Sequence, residues 1–410
     1  MLVHWIWLAI RPGMHDRDKE ALLQHFPDAE DIYFAEREDF LALDDLKASV
    51  LDALDDKDLT SSQEILRKCT DQGIQICAWN DPQYPARLKN IPDPPMVLYY
   101  KGTMPRFDEE PVVAIVGTRK PSAYGISTAK RMGYQIARCG ATVVSGMAYG
   151  IDGVALSGAL TAGGSVVGVL GCGVDVVYPA SNRMLFSDVE QRGCLISEFP
   201  PETPPHKWNF PKRNRIISGL SCGVLVIEAP AKSGSLITAK LAADQGREVF
   251  VVPGNVDMPS FEGSNDLLRQ GAIMAGNGWD VAGEYENQYP GKMVRFSGSE
   301  NLEIRMGSVE TALPRVAQHS QRPVKKSAVQ NENDKKSIDN RSLEAYIDVD
   351  NSISEEEKRL LSFLAQGECH YDDLIAGLQL PAGKILGMLT MLEIRGRIAR
   401  MPGNRVKIKG

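Results

Sequence analysis

The 410-residue chain lacks several signatures that would place it outside ordinary globular proteins. No apolar run approaches the roughly 18–20 residues of a spanning helix. The apolar opening, Met1 to Ile10, is short, has no basic flank or small-residue cleavage site, and runs into Arg11-Pro-Gly13. It reads as a buried first helix and not as a signal peptide, so no membrane partner is expected. The seven cysteines stand singly, at 69, 77, 139, 172, 194, 222 and 369, with no Cys-x-x-Cys. Neither a zinc site nor a disulfide framework is indicated, and a reducing cytoplasm fits. No G-x-G-x-x-G follows the first apolar run of the α/β region, and G-x-x-x-x-G-K-[ST] and H-E-x-x-H do not occur. This argues against a dinucleotide dehydrogenase, a P-loop NTPase and a zinc protease. No catalytic set assembles, so the expectation is a protein that is not an enzyme and needs no cofactor or metal. A basic excess is missing as well. The 46 Lys and Arg face 53 Asp and Glu, a net charge of -7, which by itself points away from a polyanion partner.

That total conceals a division. Residues 1–110 hold 12 basic and 22 acidic side chains, a net of -10. Residues 111–280 hold 15 and 13, a net of +2, and residues 281–410 hold 19 and 18, a net of +1. The acidity belongs to the N-terminal quarter, and the rest of the chain can still meet a polyanion.

The length suggests about two to four domains. Residues 1–80 read as helical, with amphipathic spacing over 16–26 and over 61–72, the latter capped by Ser61 or Ser62. Gly73 ends that helix, residues 74–79 read as a strand, and a breaker-rich connector spans 81–110 with a further short strand at 96–100. From 111 short apolar strands alternate with helices: strands at 112–116, 141–144, 165–170, 194–197, 222–227 and 248–252, helices at 124–138, 151–162, 182–192, 213–220, 235–245 and 265–270. That alternation predicts an α/β fold, an open, doubly wound, mostly parallel sheet over 81–290. Residues 291–350 lose the pattern and read as a flexible linker. Residues 351–410 give a capping box at Ser354-Glu-Glu-Glu357, three helices and a two-stranded terminal hairpin turning at Pro402-Gly-Asn404, the pattern of a winged helix.

In open α/β sheets ligands bind beyond the carboxyl ends of the strands, and the unusual residues gather there. The first strand is followed by Gly117-Thr-Arg-Lys-Pro-Ser122, the second by Ser145-Gly-Met-Ala-Tyr-Gly-Ile-Asp152, and the fifth by Glu228-Ala-Pro-Ala-Lys-Ser-Gly-Ser-Leu-Ile-Thr238. Glycine, serine and threonine turns opening helices present free N–H groups to phosphate. Arg119, Lys120, Lys207, Lys212, Arg213 and Arg215 are positioned to add full charge. Arg213 and Arg215 are read as flanking a helix start, where cations oppose the helix dipole and imply a compensating anion. Phe210, beside Lys207, suits a base-stacking platform. Asp152 and Glu228 read as helix caps or ion-pair partners.

The strings V-A-I-V-G-T-R (113–119), S-G-M-A-Y-G-I-D (145–152), G-C-G-V-D-V-V-Y-P (171–179), F-P-K-R-N-R-I-I-S-G-L-S (210–221), S-G-S-L-I-T-A (233–239) and V-P-G-N (252–255) resemble those of the DNA-processing protein A (DprA/Smf) family. The resemblance implies an extended Rossmann-like core that dimerises, an N-terminal sterile-alpha-motif-like helical domain over 1–80 and a DML1-like winged helix over 351–410. It implies a protein that binds single-stranded DNA without sequence preference, protects incoming strands and loads a RecA-type recombinase in natural transformation. The family's Gly-Thr-Arg arginine falls on Arg119, and its basic and aromatic pair falls on Lys207 and Phe210. A lysine that some members carry after the third loop's Tyr-Pro is here Ala180, with Arg183 the nearest replacement. The candidate nucleic-acid-binding residues are therefore Gly117, Thr118, Arg119, Ser145, Gly146, Lys207, Phe210, Arg213, Asn214, Arg215, Gly234, Ser235 and Thr238. The wing cations Arg397, Arg400, Arg405, Lys407 and Lys409 could touch duplex phosphates.

Two rival readings remain. The Ser-Gly-Ser-Leu-Ile-Thr loop distantly resembles that of nucleoside-monophosphate phosphoribohydrolases, but Ala239-Lys-Leu-Ala follows where those place a glutamate. A sequence-specific regulator acting through the winged helix is the weaker rival, because residues 382–395 offer few polar side chains for base edges.

Overall fold

The computed structural model describes residues 1–296 except 42, 44 and 45, and residues 355–408 except 366, 368, 379, 381, 395, 396 and 402–404. The chain divides into two units, Met1–Pro314 and Arg315–Gly410. From residue 297 to residue 354 the expected linker and Ser354 of the capping box lie outside the described residues, as does the Pro402–Asn404 turn. Residues 291–296, expected to open the linker, instead pack on the first unit. Met293 is buried there, Val294 N donates to Cys139 O at 3.0 Å, and Phe296 meets Tyr134 with ring centroids 6.1 Å apart.

The first unit carries one nine-stranded sheet. Its strands are β1 (Gln75–Ala78), β2 (Val97–Gly102), β3 (Val112–Val116), β4 (Thr142–Ser145), β5 (Val166–Val169), β6 (Cys194–Ser197), β7 (Gly223–Val226), β8 (Glu248–Val251) and β9 (Ile273–Met274). They lie in the order β1-β2-β6-β5-β4-β3-β7-β8-β9. The pairs from β6 across to β9 are parallel, while β1 pairs β2 and β2 pairs β6 antiparallel. The six strands expected after residue 111 are present. Strand β9 was not foreseen, because two residues carry no readable period.

The burial pattern explains the parallel sheet. Along β3 every residue is buried, with Val113 and Ile115 in one apolar cluster and Val112, Ala114 and Val116 in the other. Both faces of such a strand need cover. Helices α1 (Leu2–Ile10), α2 (Asp16–His25), α3 (Ala29–Phe34), α4 (Arg37–Leu41), α5 (Ala48–Asp55) and α6 (Thr60–Asp71) precede the sheet. After these come α7 (Ala86–Lys89), α8 (Ala123–Arg138), α9 (Ile151–Thr161), α10 (Arg183–Arg192), α11 (Asn209–Gly219), α12 (Gly234–Asp244), α13 (Glu262–Arg269) and α14 (Trp279–Ala282).

Two local expectations are corrected. Helix α6 starts at Thr60, so Ser61 and Ser62 lie within it; the Asp58 carboxylate takes Thr60 N at 2.9 Å and Thr60 Oγ1 at 2.6 Å and ties the chain one turn position earlier. The N-terminal helices also have no core separate from the sheet. Trp5, Trp7, Leu22 and Phe40 share a buried cluster with Val113, Val143 and Leu195, and β1 lends its edge to β2.

Strand β3 is the topological switch. The chain leaves it outward through β4, β5 and β6, then returns to β7 on its other side and continues to β8 and β9. The loops after β3 and β7 therefore diverge and open a crevice.

The second unit contains α15 (Glu355–Leu364), β10 (Cys369–His370), α16 (Tyr371–Leu378), α17 (Ala382–Ile394), β11 (Ile398–Met401) and β12 (Arg405–Ile408). Its sheet has three strands in the order β10-β12-β11, one more than the expected hairpin, because Cys369 and His370 pair with Val406 and Arg405. Leu360, Leu364, Leu374, Leu389, Ile398 and Val406 fill its core. This is the winged-helix arrangement. Among the described residues no helix is long and apolar enough to cross a membrane, and no cluster of three potential metal ligands occurs.

Candidate nucleic-acid interface

A cleft of about 700 Å³ opens at the switch point. Its floor is the loop after β3, and its walls are the starts of α9, α11 and α12. Buried contacts hold the floor. Thr118 N donates to Glu228 O at 2.7 Å, and Ile151 N donates to Thr118 O at 3.2 Å. The fully buried Glu228 carboxylate accepts Ser122 N at 3.0 Å and Ser122 Oγ at 2.8 Å, and Ser122 Oγ in turn caps α8 by accepting Gly125 N at 3.1 Å. Glu228 is thus a helix-start anchor, with its anion where the α8 dipole favours one. A Cβ on Gly125 would collide with Glu228 Oε2. Gly125→Ala is expected to lower stability by about 1–3 kcal/mol, read as a fall in the urea midpoint at unchanged slope.

Around this floor stand four exposed cations, Arg119, Lys120, Lys207 and Lys232. Among the described residues no carboxylate pairs with Arg119 or Lys207. The half-buried Phe210 ring lines the same cleft. Arg119 Cζ sits 5.3 Å from its centroid, and Tyr178 packs beside it at 5.4 Å. Gly171 makes room for this ring, since a Cβ there would lie 3.0 Å from Phe210 Cδ1. Among the described residues the only carboxylate lining the cleft is the buried Asp152, which accepts Gly146 N at 3.2 Å.

The structure sorts the thirteen candidate residues. Gly117, Thr118, Arg119, Lys207, Phe210, Arg213, Asn214, Gly234, Ser235 and Thr238 all line the cleft. Gly234 faces open space, so backbone approach is unobstructed there, whereas a Cβ on Gly117 would lie 2.6 Å from Ile151 and that glycine serves packing. Ser233 caps α12 by accepting Ser235 N at 3.3 Å, and Asn214 Nδ2 reaches Gly234 O at 3.4 Å, joining the two wall helices. Ser145 and Gly146 lie below the surface, with Ser145 Oγ donating to Ile115 O at 2.6 Å.

Arg213 and Arg215 require correction. Helix α11 begins at Asn209, four residues before the expected start, so neither cation opposes an open helix end. Two residues apart on a helix, they point about 200° from one another. Arg215 makes a two-pronged pair with Glu198 at 2.8 Å for each contact, and Nε donates to Asp93 O at 2.7 Å, outside the cleft. Arg213 is 3% exposed; Nη1 donates to Gly146 O at 2.8 Å and to Val169 O. Burial pushes its pKa down to about 10 against the pull of Asp152, whose own carboxyl burial pushes up against the pull of Arg213. Arg183 opens α10 exposed and does not line the cleft, so it does not stand in for the lysine that some members carry at Ala180.

Among the cleft residues outside the thirteen are Tyr178 and Lys232. Both lie in loops whose glycine and proline content had been noted, and only the convergence of the loops brings them to the cleft. The string Gly219-Leu-Ser-Cys-Gly223 has the spacing of a nucleophile elbow, but it runs from helix into strand, the reverse of that turn. Ser221 is buried, with Oγ donating to Ile217 O at 2.8 Å.

Fold and cleft together define a doubly wound α/β protein with an electropositive, aromatic-floored crevice at its switch strand, followed by a winged helix. Comparison with known proteins narrows this. The sequence profile of DNA recombination-mediator protein A matches residues 75–286, and that of the DprA winged helix domain matches residues 349–404. The chain is 43% identical over 229 residues to the DNA processing protein DprA of Bacillus subtilis, covering 56% of this chain and 77% of that one. It is 45% identical over 192 residues to protein Smf of Escherichia coli, covering 47% of this chain and 51% of that one. The crystal structure of DprA from Streptococcus pneumoniae superposes with a TM-score of 0.62 at 30% identity, covering 69% of this chain and 98% of that one. The chain belongs to the DprA/Smf family of DNA-processing proteins.

Proposed function

We propose that the cleft binds single-stranded DNA without sequence preference, as a binding site and not a catalytic one. The observation that carries this is four exposed cations around a partly open aromatic face, with one buried carboxylate and an accessible helix start. Cations track a phosphate backbone, and an aromatic face accepts any unpaired base but cannot reach one held inside a duplex stack. The nucleotide-processing reading gains no support, because Ala239 and Lys240 follow Thr238 and Asp152 is already bonded to Gly146 N. In the wider reading the protein is a cytoplasmic homodimer that protects incoming strands and passes them to a RecA-type recombinase in natural transformation or recombination. The winged helix, whose Arg405 and Lys407 are exposed on β12, adds contacts to duplex DNA.

The test is affinity for length-matched single- and double-stranded oligonucleotides across a salt series. Up to four phosphate contacts at about 0.7 each give a log–log slope between about -2 and -3 for the single strand. Binding that ignores salt, or a cleft-dependent preference for duplex, would show the reading to be wrong.

A further inference from the structure

We infer a second base-stacking platform, formed by Trp208 and backed by His206, on the segment that leads from Lys207 into the helix carrying Phe210; it rests on the cleft's being a single-strand site. Of the five tryptophans, Trp5 and Trp7 are 1% and 0% exposed and Trp79 and Trp279 are half-buried, whereas Trp208 is 62% exposed. A single exposed ring is not by itself a site; what surrounds this indole makes it one.

Three observations identify the partner of this indole as an unpaired base. The first is rigidity. Trp208 is the N-cap residue of α11, His206 N donates to Pro204 O at 2.9 Å, and Asn209 N donates to His206 O at 3.0 Å. The buried Asn209 side chain then anchors the turn by donating to Gly171 O at 3.1 Å. The second is stacking geometry. The His206 and Trp208 rings lie 4.8 Å apart and 12° from parallel, so one face of the indole is already covered by a flat ring and the arrangement can extend by another. The third is charge and register. Lys207, which falls between His206 and Trp208 in sequence, is exposed and lines the cleft. Residues two apart on a helix face different ways, so Trp208 lies outside the cleft lining that holds Phe210, and its indole serves a base beyond the cleft, where the strand continues past Lys207. A protein partner would need a wider apolar surface than one indole flanked by cations.

The experiment uses the full chain with oligodeoxythymidylate and with an abasic oligomer of equal length, which keeps the phosphates and removes the bases. Trp208→Ala should weaken binding of the thymidylate by about 5- to 150-fold, the worth of one stacked base, and leave the abasic affinity unchanged. Trp208→Phe should restore most of the lost affinity. Thymidylate should quench the intrinsic fluorescence of the native chain, and Trp208→Phe should abolish most of that quench. If the native chain binds no oligomer, the single-strand reading fails and the platform with it. If the native chain binds, but Trp208→Ala binds equally well or the quench persists in Trp208→Phe, the platform alone is overturned and Trp208 is left to another partner.

Discussion

Arg213→Met is expected to destabilise the first unit by about 2–5 kcal/mol, the scale of stripping buried carbonyls of a charged donor and a buried carboxylate of a nearby cation. The cost has two sources. Gly146 O and Val169 O lose their guanidinium donor inside the sheet, and the Asp152 carboxylate stays buried without the cation that favours its charged form. The tightness of the arrangement is visible at Gly146, where a Cβ would lie 2.6 Å from Arg213 Nη2 and 2.7 Å from Asp152 Oδ2. The sign of the pH dependence follows from the same burial. With the cation gone, the folded-state pKa of Asp152 rises further above its unfolded value. The variant then loses stability relative to the native chain as pH rises through that folded pKa, and the deficit shrinks as pH falls toward the unfolded carboxylate range. Arg213→Met combined with Asp152→Asn should recover at least about 1 kcal/mol of the loss. Denaturant titrations of the three variants at two pH values decide the matter. A single variant within about 0.5 kcal/mol of the native chain would mean that Arg213 is no internal partner.

The complementary expectation concerns Arg119 and Lys207. Replacing both by alanine should leave the unfolding free energy within about 0.5 kcal/mol, since both are exposed and, among the described residues, neither is in an ion pair. It should cut affinity for single strands by about 10- to 100-fold, or about 1.4–2.8 kcal/mol, uniformly across sequences. The salt slope should become shallower by about one to one and a half, because two phosphates are no longer neutralised. Part of the loss comes from Phe210, since the Arg119 guanidinium against its ring holds both planes in place for a base. Unchanged affinity with an unchanged slope would remove the cleft from the binding site. Together the two experiments separate a residue that builds the cleft from residues that touch its ligand, a division that the string Lys-Arg-Asn-Arg at 212–215 does not announce.

Much of the molecule is readable in one dimension. The near-continuous apolar runs from β3 to β8 and the helices between them specify a parallel sheet, because a strand buried on both faces cannot alternate. The loops carrying Gly117, Arg119 and Gly234 can be placed at the carboxyl edge by that topology alone. The net charge of -7 turns out to describe mainly the N-terminal helices and says little about the cleft. Other features required three dimensions. A four-residue error in the start of α11 moved Arg213 and Arg215 from an assumed phosphate-facing turn to opposite sides of a helix, because each residue advances the side-chain direction by about 100°. Tyr178 and Lys232 became part of the site only when loops more than fifty residues apart converged. The sequence by itself determined the class of fold, the edge of the sheet that carries the site and the kinds of side chain gathered there, because periodicity and motif order are local. Only the tertiary structure decided which cations remain exposed and which are consumed as internal partners, because that depends on burial and on neighbours distant in the chain.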